Sequence, residues 1–323
     1  MTFAPTRRDL LRLAAMAPAL ALPTPFRAAA AAAAQNDGWF RFTLGDAEIT
    51  ICSDGNLVTP ASTLGVNADP AEVEAFLRAH RLPTDINYAH TNHVIVRMGD
   101  KVTLVDVGSG VKFQASAGRL LANMEAAGFG PGDISDVALT HAHPDHVWGA
   151  FDDFDEPLIP DTAHHIGAAE HGWWMDDTLL SRLPEEMHGF VAGAQNTLGP
   201  LGDLDLLQMT ANEAEISPGV QMIDTPGHTM GHMSVIVESA GRKMLVTGDA
   251  LNHGYVSFEH PEWHFGFDTD RELAVQSRLA LLNRAADEEM VVVGYHFPFP
   301  GVGHVVRDGG KFRFLPALWR WSE

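Results

Sequence analysis

The 323-residue chain carries 42 acidic against 21 basic residues, a formal charge of −21, which disfavours a nucleic-acid backbone as partner because phosphate contacts need clustered Lys and Arg. Its one cysteine, Cys52, excludes an intrachain disulfide and any Cys-rich zinc module, and the length is ample for a large buried core. The histidines stand out instead: 17 of them approach the Lys and Arg in number, and imidazole is both the commonest metal ligand and the usual acid or base near neutral pH.

Thr6-Arg7-Arg8-Asp9-Leu10-Leu11-Arg12 is a basic segment with paired arginines. Leu10 to Leu22 follows as a short apolar stretch, and Ala28 to Ala34 offers several A-x-A cleavage choices. Residues 1–34 read as a twin-arginine signal peptide, which predicts export to the periplasm or beyond. The apolar stretch is too short for an ordinary membrane span. Cleavage after Ala34 removes four arginines and one aspartate and deepens the charge from −21 to −24. Residues 35–323 are then the mature domain. No stretch in it reaches 18 uninterrupted apolar residues, so no stable membrane insertion is expected.

Trp39–Leu44 and Glu48–Cys52 read as a hairpin closed near Gly45-Asp46. Pro70–His80 is helical in character. His93–Arg97 and Lys101–Asp106 form a second hairpin around Gly99-Asp100. Ala117–Ala127 reads as a helix stopped by Gly128. Val137–Thr140 is a short apolar strand that runs straight into histidines. Residues 172–202 set Trp173, Trp174, Leu183 and Phe190 among acids, and read either as an inserted helical segment or lid, or as a core helix with a linker. Gly219–Asp224, His232–Glu238 and Lys243–Thr247 are three further strands. Arg271–Ala286 is an amphipathic helix, Met290–Tyr295 a buried-type strand, and Phe312–Phe314 the last strand.

Chemistry-bearing residues collect at four strand ends. The first is Thr140-His141-Ala142-His143-Pro144-Asp145-His146, with three imidazoles and a carboxylate in six residues. The second places His228 in Thr225-Pro226-Gly227-His228-Thr229. The third is Asp249 in Thr247-Gly248-Asp249, and the fourth is His296 in Gly294-Tyr295-His296-Phe297. Two divalent ions account for all seven groups. One takes His141, His143 and His228, and the other takes Asp145, His146 and His296, with Asp249 bridging through its two oxygens. Imidazole with carboxylate suits zinc, and also manganese, iron or cobalt. A water shared by two cations is acidic enough to be hydroxide near neutral pH, which gives a hydrolytic nucleophile without serine or cysteine. Asp145 and Asp249 are the candidate catalytic carboxylates. Asp145 would orient that hydroxide or carry its proton, and Asp249 would hold the two ions together. His93 and His232, close to the motif strands, are candidates to support ligands from behind.

His141-Ala142-His143-Pro144-Asp145-His146 resembles the metal signature of the metallo-β-lactamase fold superfamily. Thr225–Thr229, Thr247–Asp249 and the late His296 match its following motifs in order, and Val105-Asp106-Val107-Gly108 is similar to an early strand-end motif there. The resemblance covers roughly residues 39–315 and implies an αββα sandwich, two mixed β-sheets flanked by helices. The spacings, 82 residues from His146 to His228, 21 on to Asp249 and 47 on to His296, resemble the exported methyl parathion hydrolase and lactonase group. Phe265-Gly266-Phe267-Asp268 and Phe297–His304 are similar to that group too. The implied activity is hydrolysis of a neutral ester, lactone or organophosphate triester, with a small-molecule substrate and a homodimer as the expected assembly.

Within the superfamily, Asp249 argues against true β-lactamases, which usually lack a bridging Asp. Glyoxalase II-like thioesterases and persulfide dioxygenases stay open as alternatives, as does an exported metal- or ligand-binding protein without activity. Trp148, Phe151, Trp173, Trp174, Trp263, Phe265 and Phe267 are the aromatic candidates for an apolar substrate pocket.

Overall fold

The computed structural model describes residues 38–318, so the signal-peptide reading of residues 1–34 lies outside the described residues. Within them, one seven-stranded sheet runs in chain order through β1 (Trp39–Leu44), β2 (Ala47–Pro60), β3 (Ile86–Met98), β4 (Lys101–Val105), β5 (Asp136–Leu139), β6 (Ala163–Gly167) and β7 (Leu207–Thr210). Its first three pairings are antiparallel and its last three parallel. The other seven-stranded sheet holds β8 (Ala214–Ser217), β9 (Val220–Asp224), β10 (Met233–Ser239), β11 (Arg242–Val246), β12 (Val291–Val293), β13 (Val302–Asp308) and β14 (Lys311–Pro316). There only β11 and β12 pair in parallel. Both sheets are mixed, as the sequence led us to expect.

The strand alternation explains the layers. Val94 and Val96 of β3, Met244 and Val246 of β11, and Val291 and Val293 of β12 share one cluster, which fills the space between the sheets. Leu245 and Val292, the residues between, face the other way and pack under a helix. Successive side chains on a strand point to opposite faces, so near-continuous apolar runs are what a strand covered on both faces requires. A register slip of one residue would exchange the two sets, so the pattern fixes the pairing. Burying each of these Val, Leu or Met side chains contributes about 1.5–3 kcal/mol relative to exposure.

Helices close both outer faces. They are α1 (Pro70–Ala79), α2 (Leu120–Ala126), α3 (Pro144–Val147), α4 (Ala168–Trp174), α5 (His188–Asp203), α6 (Val256–Glu259) and α7 (Arg271–Asp287). Asp69 caps α1 by accepting from the Ala71 amide, with Pro70 in the first turn where its missing N–H costs nothing. Asp270 caps α7 by accepting from the Leu273 amide. Leu281, Leu282 and Ala285 of α7 pack with Leu245 and Val292 on the second sheet. Leu120 and Met124 of α2 pack on the first sheet with Leu104, Val137 and Leu139.

Of the two readings of residues 172–202, the packed helix describes their contacts. Val191, Ala194, Leu198 and Leu201 recur at helical spacing along α5 and are fully buried in the cluster under the first sheet. Three short strands, β6, β7 and β8, and the seven-residue β13 were not expected. β6 is Ala-His-His-Ile-Gly, with no apolar run to announce it; parallel pairing with β5 holds it in the sheet.

Candidate active site

Each chemical cluster begins where a strand stops. β5 ends at Leu139, and the chain passes through His141 and His143 into α3, which carries Asp145 and His146. β9 ends at Asp224 before His228, β11 at Val246 before Asp249, and β12 at Val293 before His296. Backbone hydrogen bonds stitch these ends together: Met233 N donates to Thr140 O, Thr247 N to Val293 O, and Val107 N to His146 O. Two glycines permit the approach. A Cβ on Gly227, at φ 128°, would lie 2.1 Å from Ala274 N, and one on Gly248, at φ 50°, would lie 2.6 Å from His232 Nε2.

All seven groups named from the sequence meet in one buried cluster. Ligand atoms of His141, His143 and His228 lie within 4.8 Å of one another, and so do those of Asp145, His146 and His296. His141, His146 and Asp249 form a third such group. His143 Nδ1 lies 2.9 Å from His228 Nε2. His146 Nε2 lies 3.4 Å from both Asp145 Oδ2 and Asp249 Oδ1. Asp249 Oδ2 lies 3.2 Å from His228 Nε2 and 3.1 Å from His296 Nε2.

The donor set fits divalent metal. His141 Nε2, His146 Nε2, Asp145 Oδ2 and Asp249 Oδ1 are buried and have no hydrogen-bond partner among the described residues. Buried polar atoms are rarely left so, because an unsatisfied one costs about 1–3 kcal/mol. Nitrogen and oxygen ligands at about 2.0–2.1 Å from a tetrahedral zinc sit roughly 3.3 Å apart, close to the separations above.

Charge within the cluster tells the same story. Burial disfavours a proton on His146, but Asp145, Asp249 and Asp106 outweigh it and raise its pKa well above the usual imidazole value. Burial likewise opposes charge on His228, yet Asp249 and Asp268 bring its pKa up to about 9. His141 and His143 move the other way, well below the usual value, through burial and repulsion from neighbouring imidazoles. Asp249 stays strongly acidic because His296, His146 and His228 overcome its burial. The carboxylates thus demand positive charge beside them, which protons supply when no cation does.

The imidazoles are oriented from behind. His146 Nδ1 lies 2.8 Å from Asp106 Oδ2, and the same carboxylate accepts from Thr140 N and Thr140 Oγ1. His228 Nδ1 lies 2.9 Å from Asp268 Oδ1. His296 Nδ1 donates to the His90 carbonyl at 2.7 Å. His232 receives the Asp249 amide at Nε2, so its Nδ1 carries the proton and faces Thr225 Oγ1 at 2.8 Å. Tyr295 stacks on His146 with ring centres 4.0 Å apart and donates its hydroxyl to the Asp145 carbonyl. His93 Nε2 lies 3.1 Å from that hydroxyl, so both candidate supporting histidines touch the cluster's framework.

An open cavity lies over the cluster. His143, Asp145, His228, Asp249 and His296 form its polar floor, and Leu57, Ala89, Phe113, Phe190, Phe265 and Phe267 its apolar wall. Phe265 and Phe267 were among the aromatic candidates. Trp148, Phe151, Trp173 and Trp174 were too, but they do not line this cavity. Trp148 stands behind the wall, edge-on to Phe113 and Phe190. Phe151 is buried in the core beneath α5, and Trp173 lies under the Arg182 guanidinium. Trp174 is buried, with its indole N–H on Glu170. Trp263 packs on Phe76 and His260 away from the cavity. Phe113 was missed because it lies in an irregular loop with no periodicity to read. Phe190 was passed over within residues 172–202. Asp268 stands at the end of the Phe265–Asp268 motif, and its place behind His228 has no signal in the sequence.

The sequence profile of the metallo-beta-lactamase superfamily matches residues 88–296, more than half of the chain and a span that holds all seven groups. The chain belongs to this superfamily. It is a metal-dependent hydrolase, and its relatives include metallo-hydrolases and lactonases. A probable metallo-hydrolase of Mycobacterium tuberculosis is 27% identical over 232 residues, covering 64% of this chain and 74% of that protein. An N-acyl homoserine lactonase from a Bacillus species is 25% identical over 162 residues, 50% of this chain and 56% of that one. Among solved structures, the dizinc quorum-quenching lactonase AidC, in complex with N-hexanoyl-L-homoserine as product, superposes with a TM-score of 0.83 at 26% identity. It covers 88% of this chain and the whole of its own. The hydrolase AbOPH gives 0.82 at 26% identity, over 88% of this chain and 99% of its own.

Proposed function

We propose that this metallo-beta-lactamase-superfamily hydrolase is dinuclear and opens neutral lactones, with aryl esters and organophosphate triesters as related substrates. The observation that carries the reading is Asp249 Oδ2, within 3.2 Å of one imidazole from each trio. His141, His143 and His228 would hold one divalent ion, Asp145, His146 and His296 the other, and Asp249 would touch both. Zinc suits this donor set, and the similar lactonase AidC is a dizinc protein. When bound, such ions would supply Lewis acidity toward the scissile group and lower the pKa of a water molecule.

The chain's own residues do the rest. Asp145 lines the cavity, and with Oδ2 turned to His146 and His296 its other oxygen would be placed to hold and pass on a proton there. Tyr295 and Asp106 keep Asp145 and His146 in place. Leu57, Phe113, Phe190, Phe265 and Phe267 bind an apolar substituent and exclude water from the floor. Among the described residues no Lys or Arg lines the cavity, which favours neutral substrates over the anionic glutathione conjugates of thioesterases and persulfide dioxygenases. The complete donor set speaks against a binding protein without activity. The paired arginines near the N-terminus make export by the twin-arginine route part of the proposal.

The test is turnover of an N-acyl homoserine lactone, an aryl ester, a phosphotriester and a glutathione thioester by metal-reconstituted protein, with elemental analysis, before and after chelation. Chelator-sensitive lactone turnover at two metals per chain is the expected result. Turnover confined to the thioester would overturn the substrate reading, and turnover that survives complete metal removal would overturn the metal reading.

A further inference from the structure

Glu170 is fully buried in α4, and no Lys or Arg among the described residues pairs with it in an ion pair. Its carboxylate instead collects four donors. Oε1 accepts from Ala142 N at 2.9 Å and from Trp174 Nε1 at 2.6 Å. Oε2 accepts from Thr229 Oγ1 at 2.6 Å and from Gly231 N at 3.0 Å. Ala142 lies between His141 and His143, and Thr229 follows His228. The indole of Trp174 stands edge-on to His143, with ring centres 5.7 Å apart. One carboxylate therefore ties together the two loops that carry all three imidazoles of the first trio. The chain is shaped for the contact: a Cβ on Gly231 would lie 2.0 Å from Glu170 N, so only glycine lets that turn reach α4.

The second trio leans on other groups, although Thr140, which Asp106 holds, also reaches His141 Nδ1 at 3.1 Å. His146 leans on Asp106, His296 on the His90 carbonyl, and the Asp145 carbonyl on the Tyr295 hydroxyl. None of these contacts involves Glu170. We infer that Glu170 is a positioning residue for one half of the metal centre: it sets the distance between the His141–His143 loop and His228, and so the affinity of that trio for its ion and not that of the other. The inference rests on the dinuclear reading above. Glutamine at this position keeps the shape but offers an N–H₂ to two of the four donors, which opposes donor to donor. The two loops then part, and the preformed spacing of three imidazoles is lost.

The experiment is cadmium titration of metal-free protein followed by ¹¹³Cd NMR and chelator competition, for wild type, Glu170→Gln and Asp106→Asn. Wild type is expected to take up two equivalents with two resolved resonances. Glu170→Gln should weaken one equivalent about 10–100-fold, the range typical of lost outer supports of metal ligands, and leave the other within about 2-fold. Asp106→Asn should weaken the other resonance. Two equivalents that stay unchanged in Glu170→Gln, or that fall together, overturn the inference. If Glu170→Gln does not fold, Thr229→Val removes a single donor and is read the same way, with a smaller loss at the same resonance; no selective loss there overturns the inference too. Fewer than two equivalents in wild type would overturn the dinuclear reading and this inference with it, a result distinct from two equivalents that fail to respond to Glu170.

Discussion

Asp268 joins an imidazole of the buried cluster to a buried guanidinium: its Oδ1 lies 2.9 Å from His228 Nδ1 and its Oδ2 3.3 Å from Arg278 Nη2. Arg278 in turn donates to the carbonyls of Ala250, Pro261 and Trp263. The carboxylate also accepts from Phe265 N, in the cavity wall. Asp268→Asn keeps the size of the side chain and removes its charge. Metal affinity should fall about 10–100-fold by chelator competition. Asp268→Ala leaves Arg278 buried without its counter-charge, which should cost about 3–5 kcal/mol in urea unfolding. A variant as stable as wild type would show that Arg278 is neutralised by another route.

Removing the metal should destabilise as well as inactivate. Without it, protonated imidazoles and carboxylates must balance one another in a buried cluster, and several of their atoms have no hydrogen-bond partner among the described residues. An ion at 1,000 times its Kd adds about 4 kcal/mol to the folded state. At about 2–4 °C per kcal/mol for a large domain, chelation should lower Tm by roughly 10 °C. Asp249→Ala should reduce turnover at least about 100-fold and lower the bound metal, the scale seen when a preorganised charge is removed. Full turnover at unchanged metal content would sink the bridging role.

The apolar wall should read the length of the acyl group. Phe190→Ala and Phe113→Ala remove aromatic area from the cavity, and each should raise KM for a hexanoyl lactone about 10-fold, with kcat less affected. Trp148 braces both rings from behind without lining the cavity, so Trp148→Phe should change KM little. Equal KM changes for short and long acyl chains would contradict this assignment.

His164 gives a pH signature away from the metal cluster. It is buried in β6, its Nδ1 lies 2.9 Å from the Thr162 carbonyl, and its Nε2 has no partner. Burial, reinforced by His165 and opposed by the Thr162 hydrogen bond, lowers its pKa from 6.5 to about 4. Between pH 6.5 and 4 the unfolded chain binds a proton here that the folded chain does not. Stability therefore rises with pH across that window, and acidification removes on the order of 3 kcal/mol. His164→Gln should flatten this part of the stability profile, measured by urea unfolding of metal-free protein from pH 4 to 7. An unchanged slope would assign the acid sensitivity elsewhere.

Much of the fold was legible because its signals are local. Val94–Val96, Met244–Val246 and Met290–Val293 are apolar runs too short for helices, and each becomes a doubly covered strand. Gly45-Asp46 and Gly99-Asp100 mark hairpins that close where expected. β6 and β8 were not legible, since Ala-His-His-Ile-Gly and Ala-Glu-Ile-Ser gain their strand form from neighbours rather than from their own pattern.

The sequence by itself singled out the seven side chains that meet in the buried cluster, because imidazoles and carboxylates stand in short motifs, each at a point just beyond a strand end. Only the tertiary structure decided which aromatic rings face that point. Trp148, Phe151, Trp173 and Trp174 are as apolar as Phe113 and Phe190, yet Trp148 braces the wall, Phe151 and Trp174 fill the core, and Trp173 sits under Arg182. Apolar character drives a residue out of water but carries no direction, and direction comes from the packing of elements distant in sequence. The same holds for Glu170 and Asp268, whose hydrogen bonds span 28 to 61 and 40 residues to the metal-facing loops. Contacts of that span exist only once the two sheets have closed on each other.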